Sequence, residues 1–200
     1  MNILSIQSSI LGDQSISRML VDYAVSHIES QLKESHIDTL DLAKETMPHI
    51  DESYFNATIL DEKYRSDTQR KLIAHSDELI SRFKAADIIV IGAPLYNATI
   101  PTKLASTFDY IARAGVTFKY TEKGVEGLLG DRQVIIISSR GGFHKDTPLE
   151  TQTHHLSNFF KELGIKSIKF IYAEGTGISE EVREKSVNRA KEDILNILEF

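Results

Sequence analysis

Short apolar runs alternate with amphipathic stretches along the whole chain. Residues 2–7 place Ile3, Leu4 and Ile6 in a run that reads as a strand. Residues 15–33 carry Met19, Leu20, Tyr23, Ala24, Ile28 and Leu32 at the spacing of one helix face. Residues 36–42 alternate weakly and read as a second strand, followed by a polar connection with Pro48, Tyr54 and Phe55. Residues 67–84 form a helix, with Asp67 as N-cap and Leu72, Ile73, Leu79, Ile80 and Phe83 on one face. Residues 87–91 and 133–138 contain Ile88-Ile89-Val90-Ile91 and Val134-Ile135-Ile136-Ile137, which are β-branched and apolar on both faces. Such runs are strands buried on both sides. Helices are expected over residues 102–114, 147–163 and 179–198, the second ended by Gly164 and the third capped by Ser179. Residues 167–173 make the fifth strand.

Strand and helix thus alternate five times, which predicts α/β architecture with helices on both faces of a parallel sheet. The expected form is a three-layer, flavodoxin-like sandwich of five strands in the order 2-1-3-4-5, filling residues 1–200 as one domain. In that order the chain leaves the first strand in one direction and places the third on its other side. Ligands then bind outside the carboxyl ends of strands one and three.

Composition narrows the partners. The chain has 200 residues and no cysteine, which removes disulfides, cysteine-ligated metals and thiol nucleophiles. The net charge of -6 argues against nucleic acid, although backbone N–H groups can still bind a small anion. No apolar run is long enough for a membrane span, and Met1–Ser5 has no basic stretch before an apolar one, so a cytoplasmic protein is expected.

Three loops follow the strands at the expected crevice. After the first comes Gln7-Ser8-Ser9-Ile10-Leu11-Gly12-Asp13-Gln14-Ser15-Ile16-Ser17, whose hydroxyls lead into a helix N-terminus. It reads equally as a phosphate cradle and as a capped helix with Ser15 or Ser17 at the cap. Neither a GxxxxGK[ST] nor a GxGxxG motif is present. After the third strand come Pro94, Leu95, Tyr96, Asn97 and Ala98, with Pro101 expected at the first helical position. After the fourth come Ser138, Ser139, Arg140, Gly141 and Gly142, where the glycines let the backbone approach a ligand and Arg140 places a cation beside them. Together the loops suit a ligand with a phosphate tail near strand one and a flat ring across strands three and four. Flavin mononucleotide (FMN) has that shape.

These segments resemble the FMN-dependent NADH-azoreductases, which include FMN-dependent NADH:quinone oxidoreductases. The resemblance runs over nearly the whole chain. It is carried by Ser8-Ser9-Ile10 with Ser15-Ile16-Ser17, by Pro94-Leu95-Tyr96-Asn97, by Phe108 to Phe118, and by Ser139-Arg140-Gly141-Gly142. It implies a homodimer with one non-covalent FMN per subunit. Such an enzyme takes hydride from NADH and reduces small-molecule quinones or azo compounds in a ping-pong cycle. It implies that Ser9, Ser15, Ser17 and the backbone of Ile16 hold the phosphate. Leu95, Tyr96, Asn97 and Ala98 lie along the isoalloxazine, and Ser139, Arg140, Gly141 and Gly142 meet its pyrimidine edge. The family commonly has Met and Phe where this chain has Leu95 and Ala98, which bears on substrate range. The flavin carries the chemistry, so no catalytic side chain and no metal are expected. Tyr120, on an excursion over residues 117–131, either covers a partner's flavin or sits on a surface hairpin. His144 either meets substrate or is a solvated loop residue. An electron-carrying flavodoxin is the competing reading, and the enclosed site suggested by the excursion argues against it. The serine-hydrolase motif GxSxG is absent.

Overall fold

The computed structural model describes residues 1–32 and 34–199. Five strands form one parallel sheet: β1 (Asn2–Gln7), β2 (His36–Asp41), β3 (Ile88–Gly92), β6 (Gln133–Ser139) and β7 (Ile168–Ala173). Their order is β2-β1-β3-β6-β7, with every neighbouring pair parallel, which is the 2-1-3-4-5 order once the sheet strands alone are counted. The intervening β4 (Phe118–Thr121) and β5 (Gly124–Gly127) pair only with each other, as an antiparallel hairpin.

Strand alternation sorts the core into two layers. Leu4, Ile6, Ile89, Ile91, Val134 and Ile136 face one side. There they pack with α3 (Asp67–Ala85), α4 (Thr102–Ile111) and α5 (Gln152–Glu162). Ile3, Ile88, Val90, Ile135 and Ile137 face the other side, against α1 (Ile16–Gln31) and α6 (Glu180–Ile197). All four residues of the Val134–Ile137 run are fully buried, and burying one such side chain contributes about 2 kcal/mol.

Several boundaries differ from the sequence expectation. Residues 15–33 become α1 with Ser15 as N-cap, its Oγ accepting from the Arg18 N–H; the expected end at residue 33 lies outside the described residues. The cap of α3 is Ser66, not Asp67. Ser66 Oγ accepts from Gln69 N–H while Ser66 N–H donates to Gln69 Oε1, a reciprocal pair that satisfies two free donors. The polar connection contains a further helix, α2 (Glu52–Ile59), capped by Asp51 and burying only Tyr54 and Ala57. Pro101 precedes α4 rather than opening it. That helix stops at Ile111, short of residue 114, because Thr117 Oγ1 accepts from Arg113 N–H and donates to the Ile111 carbonyl. The helix expected from residue 147 starts at Gln152, after a turn in which the His144 carbonyl accepts from Thr147. Ser179 caps α6 and Gly164, at φ 93°, follows α5 as expected.

Candidate functional site

The carboxyl ends of β1, β3 and β6 are locked together before they diverge into loops. Pairing with β6 continues past the end of β3, with Ala93 N–H donating to the Ile137 carbonyl and Leu95 N–H to that of Ser139, each at 2.9 Å. At Gly92 an added Cβ would stand 3.2 Å from Val21 Cγ2 and 3.4 Å from the Ser17 carbonyl oxygen. The missing side chain is therefore what lets the first turn of α1 lie directly over the end of β3. Ser8 Oγ closes the same corner by donating to the Gly92 carbonyl at 2.5 Å.

Between these ends lies a cleft of about 160 Å³. Ser9, Ser15 and Ile16 reach it from the first loop, Leu95 and Tyr96 from the second, and Ser139, Arg140 and Gly141 from the third. Larger hollows occur on charged helix faces, such as one of about 500 Å³ along α5. The smaller cleft is the one at the topological switch point. Ser9 and Tyr96 meet across it, their hydroxyl oxygens 2.9 Å apart.

Four of the expected site residues stand back from the cleft lining. Ser17 is buried behind Ser15, Oγ to Oγ 3.1 Å. Asn97 and Ala98 are exposed at the tip of a tight turn, φ 49° and 61°, closed by reciprocal hydrogen bonds between Tyr96 and Thr99. Gly142 faces the His144 ring, whose Nε2 would lie 3.1 Å from an added Cβ.

The expected free cation beside the glycines is corrected. Arg140 is 1% exposed, and its guanidinium is spent on Glu150 and Glu174 at 2.7 and 3.2 Å, behind the cleft wall. With a wholly buried side chain, Arg140 reaches the cleft through its backbone alone. Arg18, in the first turn of α1, is likewise paired, to Asp41 at 2.9 Å. Burial works to raise the Asp41 carboxyl, but the hydrogen bond and charge of Arg18 outweigh it and hold the group below the usual carboxylate range.

With both arginines paired, negative charge in the cleft is left to hydroxyls and backbone N–H groups. Among the described residues, the N–H groups of Ile16, Ser17, Gly141 and Gly142 donate to no backbone acceptor. Those of Ile16 and Ser17 carry the positive end of a 16-residue helix. An added Cβ on Gly141 would meet nothing within 4 Å, so this wall is bare backbone toward open space. The cradle fits a phosphate at α1 and a flat, hydrogen-bonding ring edge at Gly141.

Tyr120 and His144 do not line the cleft. Tyr120 stands 77% exposed on the β4–β5 hairpin, edge-on to Phe118. Four lining residues went unassigned from sequence: Leu11, Gln14, Pro94 and Thr176. Thr176 arrives because the loop after β7 is laddered to the third loop. Thr176 N–H and Oγ1 both donate to the Arg140 carbonyl, and Gly177 N–H donates to that of Gly141. The run Gly175-Thr176-Gly177 shares the small, polar character of the other loops, and that was the available signal. Among the described residues, no group of three or more His, Asp or Glu is placed to hold a metal, and no helix is long and apolar enough to cross a membrane.

Comparison with known proteins agrees with this fold. A family described as having a flavodoxin-like fold matches residues 1–198. An FMN-dependent NADH:quinone oxidoreductase from Alcanivorax borkumensis is 38% identical over 195 residues, 98% of each chain. A protein of the same name from Escherichia coli is 42% identical over 196 residues, again 98% of each chain. Among solved structures, an azoreductase from Bacillus anthracis superimposes with a TM-score of 0.90 at 26% identity over 98% of both chains. An FMN-dependent NADH-azoreductase from the same organism, in complex with FMN, gives 0.87 at 26% identity over 99% of both. By sequence over nearly its full length and by fold, the chain belongs to the flavodoxin-like family of FMN-dependent NADH:quinone oxidoreductases and NADH-azoreductases.

Proposed function

We propose that the chain is a single flavodoxin-like unit that binds one FMN non-covalently and reduces quinones and aromatic azo compounds with NADH. The observation that carries this reading is the convergence of Ser9, Ser15, Ile16, Leu95, Tyr96, Ser139 and Gly141, distant in sequence, on one cleft at the N-terminus of α1. Ser9, Ser15 and Ser17, with the N–H of Ile16, would hold the phosphate. Leu95, Tyr96, Asn97 and Ala98 would flank the ring. Ser139, Gly141, Gly142 and the backbone of Arg140 would meet its pyrimidine edge. Bound FMN supplies two-electron chemistry, accepting hydride from NADH and passing the electrons to the acceptor.

The protein's part is to bind and orient. The free N–H groups at α1 neutralise the phosphate without a lysine or arginine, in keeping with a net charge of -6. The free N–H groups of Gly141 and Gly142 are aligned by the ladder to the β7 loop and complement negative charge at a ring edge. Donor and acceptor take the same open face of the cleft in turn, which is a ping-pong order. A cytoplasmic homodimer is the working assembly, and the exposed Tyr120 on its hairpin is suited to reach a partner's cleft. His144, whose ring lies against Gly142, would meet substrate from outside the cleft lining.

The test is an absorption spectrum of the purified protein, followed anaerobically through addition of NADH and then benzoquinone. Flavin bands bleached by NADH and restored by the quinone are expected. Bands that neither NADH nor NADPH bleaches would mark an electron carrier. A protein that neither contains nor takes up FMN contradicts the reading.

A further inference from the structure

Arg140 is the largest fully buried side chain of the described residues, and its surroundings form one connected polar network. Its guanidinium lies over the Tyr172 ring, 4.8 Å from the centroid. It donates to Ser138 Oγ at 3.0 Å, Thr153 Oγ1 at 3.2 Å and Gln152 Oε1 at 3.3 Å, besides its pairs with Glu150 and Glu174. Two of these partners, Gln152 and Glu174, lead on to loops that wall the cleft. Gln152 Nε2 donates to the Ala93 and Pro94 carbonyls, at the start of the second loop. Glu174 Oε1 accepts from His144 N–H and Lys145 N–H, both at 2.8 Å, and so fixes the far side of the loop that begins with Gly141. Glu150 Oε1 accepts from Thr153 N–H and sets the start of α5.

We propose that Arg140 is a positioning residue, acting from behind the cleft through Glu174 and Gln152 to hold the second and third loops in the shape that binds FMN. This rests on the FMN reading given above. A buried charge with this many partners specifies a geometry, because removing any partner leaves another group buried and unsatisfied. The arrangement separates two roles that the sequence alone merges. A cation facing the ring would favour the reduced form over the oxidised form. A clamp behind the wall holds a shape that the oxidised form needs as well, so by linkage its loss weakens the binding of oxidised FMN too.

The experiment measures the FMN dissociation constant by fluorescence quenching, and the potential of the bound flavin, for wild type, Arg140→Met, Arg140→Lys, Glu174→Ala and the double variant Arg140→Met/Glu174→Ala. Glu174→Ala leaves Arg140 paired with Glu150, so the buried charges stay balanced, and Glu174 does not line the cleft. Each of Arg140→Met and Glu174→Ala is expected to weaken the binding of oxidised FMN about tenfold or more. Their effects should be non-additive in the double variant, as for residues acting through one network. Arg140→Lys should recover part of the loss. If Arg140→Met does not fold, Glu174→Ala decides the matter alone. A shifted potential with unchanged affinity in Arg140→Met, additive effects, or wild-type affinity in Glu174→Ala would overturn the proposal. Absence of FMN binding by the wild type instead overturns the underlying reading, and this inference with it.

Discussion

Ala98 occupies left-handed backbone, φ 61°, as the second of two such residues in the Tyr96–Thr99 turn. Asn97 tolerates that region and alanine does so at a cost of about 1 kcal/mol. Strain of this kind gathers at ligand-facing turns, and Thr151 Oγ1 holds this one by donating to the Ala98 carbonyl at 2.7 Å. Ala98→Gly should stabilise the protein by up to about 1 kcal/mol, raising the melting temperature by roughly 2–4 °C, while the β-branched Ala98→Val should cost about 2 kcal/mol. Thermal melts of both variants check the pair. Asp41 gives a pH prediction. Its carboxyl is held below the usual value in the folded chain, so its contribution is present above the unfolded value of 3.8 and fades as pH falls through the lower folded value. Asp41→Asn should therefore be less stable than wild type by about 1–2 kcal/mol at pH 7, and the difference should shrink below about pH 4. Urea midpoints across pH 2–7 measure it. At this scale the sequence was legible for some residues that act locally, although the cap of α3 lies one residue earlier than expected, at Ser66. Ser15 and Ser179 as caps follow from a hydroxyl preceding a helix. Arg140 was misplaced because its carboxylate partners are 10 and 34 residues away and only the tertiary fold brings them to it.

Among the elements, the β4–β5 hairpin depends on one close approach. A Cβ on Gly127 would fall 1.9 Å from the Gly164 backbone nitrogen and 2.1 Å from the Leu163 carbonyl carbon. The hairpin thus docks backbone to backbone on the end of α5, and Leu129 N–H seals the contact by donating to the Leu163 carbonyl at 3.1 Å. Gly127→Ala should cost about 3 kcal/mol, read as a lowered urea midpoint; an unchanged midpoint would mean that the hairpin does not need this contact. Helices and strands with a full apolar face were readable from spacing alone, as with Leu79, Ile80 and Phe83 in α3. The eight-residue α2 was not, because two buried residues make no period. The late start of α5 was not readable either. Residues 147–151 are held in turns by His144 and Glu150, which compete successfully with helix extension across Pro148.

For the whole molecule, the legible quantity was topology. Both-face apolar runs at β3 and β6 allow only central, parallel positions, and the order 2-1-3-4-5 then puts function at the ends of β1, β3 and β6. The contribution of the loop after β7 was harder to read. Its ladder to Arg140 and Gly141 is made by backbone groups, which every residue carries and no sequence pattern marks. The central claim is that FMN occupies this cleft against the bare backbone of Gly141. An equilibrium FMN titration of wild type and Gly141→Leu tests it most directly, with a thermal melt of each. Because an added Cβ at Gly141 meets nothing within 4 Å, the variant should melt with the wild type. The account predicts one FMN per wild-type chain and loss of binding in Gly141→Leu. Equal FMN affinity in the two proteins, or none in the wild type, would contradict it.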